Sequence, residues 1–145
     1  MSLFWFERTS DTIPAHLDWL AAPELNRLAA FRFPKRRADW LLGRWTAKCA
    51  IACLTDGQLE FAEIEIRAAP SGAPTVRIRG DPAPFSISLS HRAGVACCAI
   101  STDAIDLGCD LERVEDRSPA FISDYFTDEE SALVSSRERR SALAW

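Results

Sequence analysis

Six consecutive residues, Phe85-Ser86-Ile87-Ser88-Leu89-Ser90, alternate apolar and hydroxyl side chains without a break. Successive side chains of a strand point to opposite faces, so the run predicts a strand with one apolar face and one face of three serines. Such a strand needs partners, and the same patterning predicts them over residues 3–6, 61–68, 75–79, 95–101 and 105–112. Pro70, Gly72 and Pro74 mark the turn between the second and third of these. Helices are expected over residues 13–20, from Pro23 onward, over 35–54, and again after Pro119 and Thr127. Runs of helix and runs of strand together indicate an α+β fold. A tight boundary is expected at Ala93-Gly94, dividing residues 1–94 from 95–145.

Composition narrows the possible classes. The chain has 145 residues, is 48% hydrophobic and carries a formal net charge of −4. That is one ordinary domain, or a little less than two small ones, and it argues against a general nucleic-acid binder. No apolar run approaches the roughly 20 residues a membrane helix needs. Glu7, Arg8 and Asp11, close behind a short apolar stretch, do not have the layout of a signal peptide. The five cysteines form no CxxC pair and read as small buried hydrophobes in a reducing cytoplasm.

Four constellations carry chemistry. In Ile105-Asp106-Leu107-Gly108-Cys109-Asp110-Leu111-Glu112, strand alternation puts Asp110 and Glu112 on one face and Leu107, Cys109 and Leu111 on the other. Neighbouring carboxylates repel unless a cation or proton lies between them, and oxygen-only ligands with little other cage point to Mg²⁺ held jointly with phosphates. The alternative is an edge strand with two solvated acids. Gly108, lacking Cβ, would admit a close approach of backbone or ligand.

On the helix over 35–54, Arg37, Arg44 and Lys48 fall within about 40° of one another at about 100° per residue. Leu42, Trp45, Cys49 and Cys53 cluster beside them as the expected core face. The cation row reads as a phosphate clamp or as a solvated basic face, with Lys35 and Arg36 adding positive potential at the helix start. Ser90 and His91, at the end of the serine strand, offer a hydroxyl, an imidazole and free N–H groups to a phosphate, or a structural hydrogen bond at a turn. Thr127 and Glu130 have capping-box spacing, which explains Glu130 structurally, although a carboxylate there could equally face a metal or a hydroxyl proton.

In this order, the RRADWLLGRWTAK helix, the SLSH strand end, GCDLE and FTDEE resemble 4′-phosphopantetheinyl transferases of the two-lobed, surfactin-synthetase-activator type. The resemblance implies that fold, with a complete first lobe and a truncated second one. It also implies transfer of the phosphopantetheine arm of coenzyme A to a serine of an acyl or peptidyl carrier protein, with Mg²⁺ required and 3′,5′-ADP released. Asp110 and Glu112 would then bind the metal. Glu130 would help deprotonate the serine or complete the metal shell. Arg37, Lys48 and Arg44 would hold coenzyme A phosphates, Ser90 and His91 the 3′-phosphate, and Gly72 and Pro74 would lie by the adenine. The alternative is a non-catalytic coenzyme A or nucleotide-phosphate binding module.

Two features depart from the family pattern. Gly72-Ala73-Pro74 stands where the family usually has Gly-Lys-Pro or Gly-Arg-Pro, and the sequence stops at Trp145, where the family continues W-x-x-K-E. Weak or absent turnover is therefore expected of residues 1–145, with self-association through uncovered apolar surface.

Overall fold

The computed structural model describes residues 2–103, 105–115 and 117–136. The chain divides into two compact units, Met1–Leu111 and Glu112–Trp145.

The first unit is built on one antiparallel sheet of β1 (Leu3–Thr9), β2 (Ile64–Ala68), β3 (Pro74–Ile78), β4 (Asp81–Arg92) and β5 (Val95–Ser101), in the order β1-β5-β4-β3-β2. Its helices are α1 (Ala22–Ala29), opening with Pro23 in its first turn, and α2 (Pro34–Leu54), with Pro34 at its start. Residues 13–20, expected as helix, form turns, with only a short 3-10 turn at Ser10–Thr12 before them.

The alternation in β4 is realised as predicted. Ile87, with Phe85 and Leu89, joins Ala47, Ala50 and Ile51 of α2, Ile64 and Ile66 of β2, Val76 of β3, and Cys98 and Ile100 of β5 in the main core. A second cluster packs Trp19, Leu20 and Leu28 against Trp40, Leu41 and Trp45 of α2. The helix is therefore covered on two sides, by the sheet and by the 13–31 segment. This corrects the helical-wheel reading, which assumed one buried face. Cys53 is exposed and Cys49 half-buried, while Ala47, Lys48, Ala50 and Ile51 are buried.

The serine face carries a different cover. Residues 105–112 were expected as a strand, yet they join no backbone ladder. The segment runs extended, and the backbone N–H groups of Ile105, Cys109 and Leu111 donate to the hydroxyls of Ser86, Ser88 and Ser90 at 3.3, 3.1 and 3.0 Å. It lies over the face of β4 rather than beside an edge, which is why side chains hold it. Its period-two pattern survives, with Ile105, Leu107, Cys109 and Leu111 half-buried and Asp106, Gly108 and Asp110 exposed. A Cβ at Gly108 would meet nothing within 4 Å, so no close approach requires glycine there.

Ala93 and Gly94, the expected boundary, are instead the two-residue turn of the β4–β5 hairpin, with φ of 51° and 81°. Positive φ at both central residues matches the turn whose twist suits paired strands. The compact units divide later, between Leu111 and Glu112. In the second unit, α3 (Pro119–Tyr125) is capped by Ser118 and α4 (Asp128–Ser136) follows Thr127.

Candidate functional site: a basic cleft at the end of the sheet

The site begins with a buried carboxylate. Glu24, 2% exposed on α1, accepts hydrogen bonds from the N–H of Ala21 and, across 42 residues of sequence, from the N–H of Ile66, both at 3.0 Å. The second bond satisfies a donor on the outer edge of β2. The same carboxylate meets Lys48 Nζ at 2.6 Å and Arg44 Nε at 3.7 Å. Lys48 is wholly buried and also donates to the carbonyls of Trp19 and Phe61, each at 2.9 Å. Burial lowers its pKa, and the Glu24 charge opposes that shift. This environment makes Lys48 part of the folded interior, not of the open phosphate clamp expected from the helical wheel.

Arg44 is different. Its side chain is 15% exposed, its guanidinium carbon lies 4.8 Å from the Trp40 ring centre, and its buried Nε has no hydrogen-bond partner among the described residues. Desolvation lowers its pKa, with Glu24 opposing. One carboxylate thus serves two cations. Glu65, the other buried acid nearby, is engaged by Arg67 Nε. Set against Lys48, Arg44 and Arg67, Glu24 and Glu65 leave this group with one net positive charge, and Arg44 shares its carboxylate with Lys48.

That surplus faces a cleft of about 230 Å³ lined by Asp39, Trp40, Gly43, Arg44, Arg67, Ala68, Gly72, Pro74, Leu89 and His91. Asp39 is paired with Lys35 at 2.9 Å. Gly72 has φ of 89° and open space where a Cβ would stand, so its glycine serves the β2–β3 turn rather than making room. The predicted residues Arg44, Gly72, Pro74 and His91 therefore come together, and Arg67 and Trp40, which sequence reasoning missed, complete the wall. Arg37 does not line this cleft, and its Nη1 donates to the Leu28 carbonyl at 3.5 Å. Arg67 could have been found from pairing alone, because it sits opposite Thr75, one position past Pro74.

Ser90 and His91 part company. Alternation leaves His91 on the helix side with Leu89 and Arg44, whereas Ser90 faces the 105–111 segment. There Ser90 Oγ donates to Asp110 Oδ1 at 3.1 Å, and the Leu111 N–H donates to the same oxygen at 2.9 Å. These two donors fix the carboxylate's orientation. Among the described residues, no three His, Cys, Asp or Glu side chains gather into a metal-binding group. A magnesium ion that keeps its waters and shares its ligation with phosphates needs only one or two carboxylates, and the exposed, oriented Asp110 suits that mode.

Glu112 and Glu130 belong to the second unit. Glu130 forms the predicted capping box, in which its Oε2 accepts from the Thr127 N–H at 2.8 Å and hydroxyl at 3.0 Å, and its own N–H donates to Thr127 Oγ1 at 3.3 Å. The Thr127 N–H holds its carboxyl below the usual range. No helix among the described residues is long and apolar enough to cross a membrane.

No family model matches this chain, and neither does any curated protein. Solved structures do. Apo holo-[acyl-carrier-protein] synthase of Chronobacterium ammoniagenes aligns with a TM-score of 0.52 at 17% identity, over 68% of this chain and 94% of that one. Its coenzyme A complex aligns at 0.47 and 20% identity over 70% and 98%. The Helicobacter pylori synthase with coenzyme A aligns at 0.46 and 19% over 68% and 97%. At these identities the likeness is one of fold, and it rests on the apo structure. Over the 68% of this α+β chain that aligns, its fold is that of a holo-[acyl-carrier-protein] synthase, a phosphopantetheinyl transferase fold.

Proposed function

We propose that the chain binds coenzyme A in the basic cleft and acts as a 4′-phosphopantetheinyl transferase toward a carrier-protein serine. The observation that carries this reading is the positive charge left over at Arg44. An interior that sets two cations on one buried carboxylate, beside an open cleft, is completed by an anion from outside. Phosphate suits it, because a guanidinium presents a planar fork of donors to phosphate oxygens. Arg44, its guanidinium over the Trp40 ring, provides that fork, and Arg67 and His91 stand on the same wall. Gly72 and Pro74 supply a turn whose backbone edges suit a base.

Attack of a serine hydroxyl on a pyrophosphate requires the developing charge to be neutralised and the hydroxyl proton to be taken up. Magnesium, when bound, supplies charge neutralisation at the pyrophosphate. Asp110 and Glu112 are the carboxylates we assign to it, Asp110 already oriented by Ser90. To Glu130 we assign uptake of the serine proton or completion of the metal shell, in either case at its carboxylate. These assignments are supported by the spacing of GCDLE and FTDEE and by their resemblance to the transferase motifs. The acceptor we propose is an acyl or peptidyl carrier protein.

Calorimetric titration of coenzyme A tests the reading, with and without Mg²⁺, on the wild type, Arg44→Ala and Asp110→Ala. Loss of a charge-assisted phosphate contact worth about 1.5–3 kcal/mol lowers affinity about tenfold to a hundredfold in Arg44→Ala. Asp110→Ala abolishes the Mg²⁺-dependent part. Unchanged affinity in Arg44→Ala overturns the cleft assignment. A second reading, a non-catalytic coenzyme A module, is favoured by the use of Asp110 as an anchor for Ser90 and Leu111. It predicts binding indifferent to Mg²⁺ and to Asp110→Ala.

A further inference from the structure

Two thiols meet on the serine face. Cys97 lies on β5 opposite Ser90 and is 8% exposed. Cys109 is half-buried on the 105–111 segment, its N–H held by Ser88 Oγ and its Sγ 3.9 Å from the Cys97 carbonyl oxygen. That contact sets the Cys109 thiol against the backbone of Cys97, and both cysteines are free. The other cysteines do not compete for this pairing. Cys98 is wholly buried in the core on the opposite face of the sheet, and Cys49 and Cys53 lie on α2.

We propose that Cys97 and Cys109 form a dithiol oxidation site, closed to a disulfide by a peroxide, that ties the Asp110-bearing segment to β5. The reaction balances in two steps. Cys109, the more accessible thiol, attacks the peroxide; its S–H is lost, the O–O bond breaks, a sulfenic acid forms and water leaves. The Cys97 sulfur then displaces hydroxide from that sulfenic acid. The S–O bond breaks, the S–S bond forms, and the Cys97 proton leaves with the hydroxide as a second water. Two electrons pass from the thiols to the peroxide.

The consequence is positional. The segment is otherwise held by three hydroxyl–amide hydrogen bonds, the Ser90–Asp110 bond and four half-buried side chains, and each hydrogen bond is worth about 1 kcal/mol net, so opening the segment costs less than unfolding the sealed core. A covalent link one residue before Asp110 removes that freedom. The site stands on thiol geometry alone and does not depend on the coenzyme A reading.

The test treats the full chain with hydrogen peroxide, alkylates the remaining thiols, digests it and maps cross-linked peptides by mass. The expected product is an intramolecular Cys97–Cys109 peptide, lighter than its reduced parts by two hydrogens and opened by dithiothreitol. Amide exchange over residues 105–111 slows about tenfold on oxidation. Cys109→Ser, at a half-buried site, removes the product while the protein stays folded. Cys97→Ala gives an independent check at the other sulfur. Pairing with Cys49, Cys53 or Cys98, an intermolecular product, a Cys109 sulfinic acid beside an alkylated Cys97, or no oxidation at all would each overturn the proposal.

Discussion

The two faces of this one sheet are covered by opposite means. On one, α2 seals an apolar core in which Ile51, Ile64 and Ile100 are fully buried, with Glu24, Lys48 and Arg44 drawn together along the same helix. On the other, residues 105–111 lie on a row of serines, anchored by hydroxyls and only half-buried. A cover sealed by hydrophobic area is stable and hard to move. One fastened by a few hydrogen bonds costs little to lift, and it carries the exposed carboxylate. The division puts rigidity behind the basic cleft and adjustability at the candidate metal ligand.

The largest expected effect lies on the helix side. Lys48→Met leaves Glu24 buried with Arg44 at 3.7 Å as its remaining cation, and removing one partner of a buried pair costs about 3–5 kcal/mol. Chemical denaturation measures this through the shift in midpoint. Glu24→Gln combined with Lys48→Met is expected to cost less than the two singles added together, because each single leaves the other's charge stranded. Strict additivity would show that the two groups do not act as a pair.

An apolar comparison sharpens the contrast. Ile100→Ala opens a cavity in the sealed face and is expected to cost about 2–5 kcal/mol. Leu107→Ala, on the half-buried segment, should cost about 1 kcal/mol. Equal losses in thermal or chemical unfolding would mean that the segment seals its face as α2 does.

Alkaline pH separates the faces again. Burial pushes the Cys98 thiol, in the sealed core, up to about 12 from its usual 9.0. A raised pKa means the native state disfavours the thiolate. The stability linked to Cys98 is therefore fully present below pH 9 and is lost as pH rises toward 12. At pH 10 the loss is about 1.4 kcal/mol. Lys48 works in the opposite sense. Its lowered pKa makes the native state bind protons less readily than the unfolded chain, so its contribution rises with pH up to the usual lysine value of 10.5. The difference between wild type and Cys98→Ala across pH 8–11 isolates the thiol, and an unchanged slope would show that Cys98 ionises freely.

These contrasts also explain what the sequence could reveal. Strict alternation in 85–90 foretold β4, and the helix expected over 35–54 is α2, because both signals are local. Residues 105–111 kept their alternation but not their ladder, since side-chain period reports which residues are covered and not what the backbone bonds to. Lys48 was misplaced for a related reason. A helical wheel assumes one buried face, and only the fold of residues 13–31 creates the second. Glu24 and Arg67 were missed because their roles depend on partners far away in sequence, as with the Glu24–Ile66 bond. Arg44, Gly72, Pro74 and His91 were foreseen through motif resemblance, and the structure gathers those four around one cleft while placing Ser90 on the other side of the sheet.

The smallest expected effect tests the weaker fastening directly. Ser88→Ala removes the acceptor of the Cys109 N–H, and because the segment is half-buried, water can take its place. The net cost is about 1 kcal/mol. Its signature is local: amide exchange quickens over 105–111 while the strands of the core keep their protection. Global destabilisation as large as that of Ile100→Ala would mean that the serine row is part of the core's cooperative unit. The local response would place the segment among the low-stability elements from which binding surfaces are commonly drawn, with Asp110 free to adjust to whatever occupies the site.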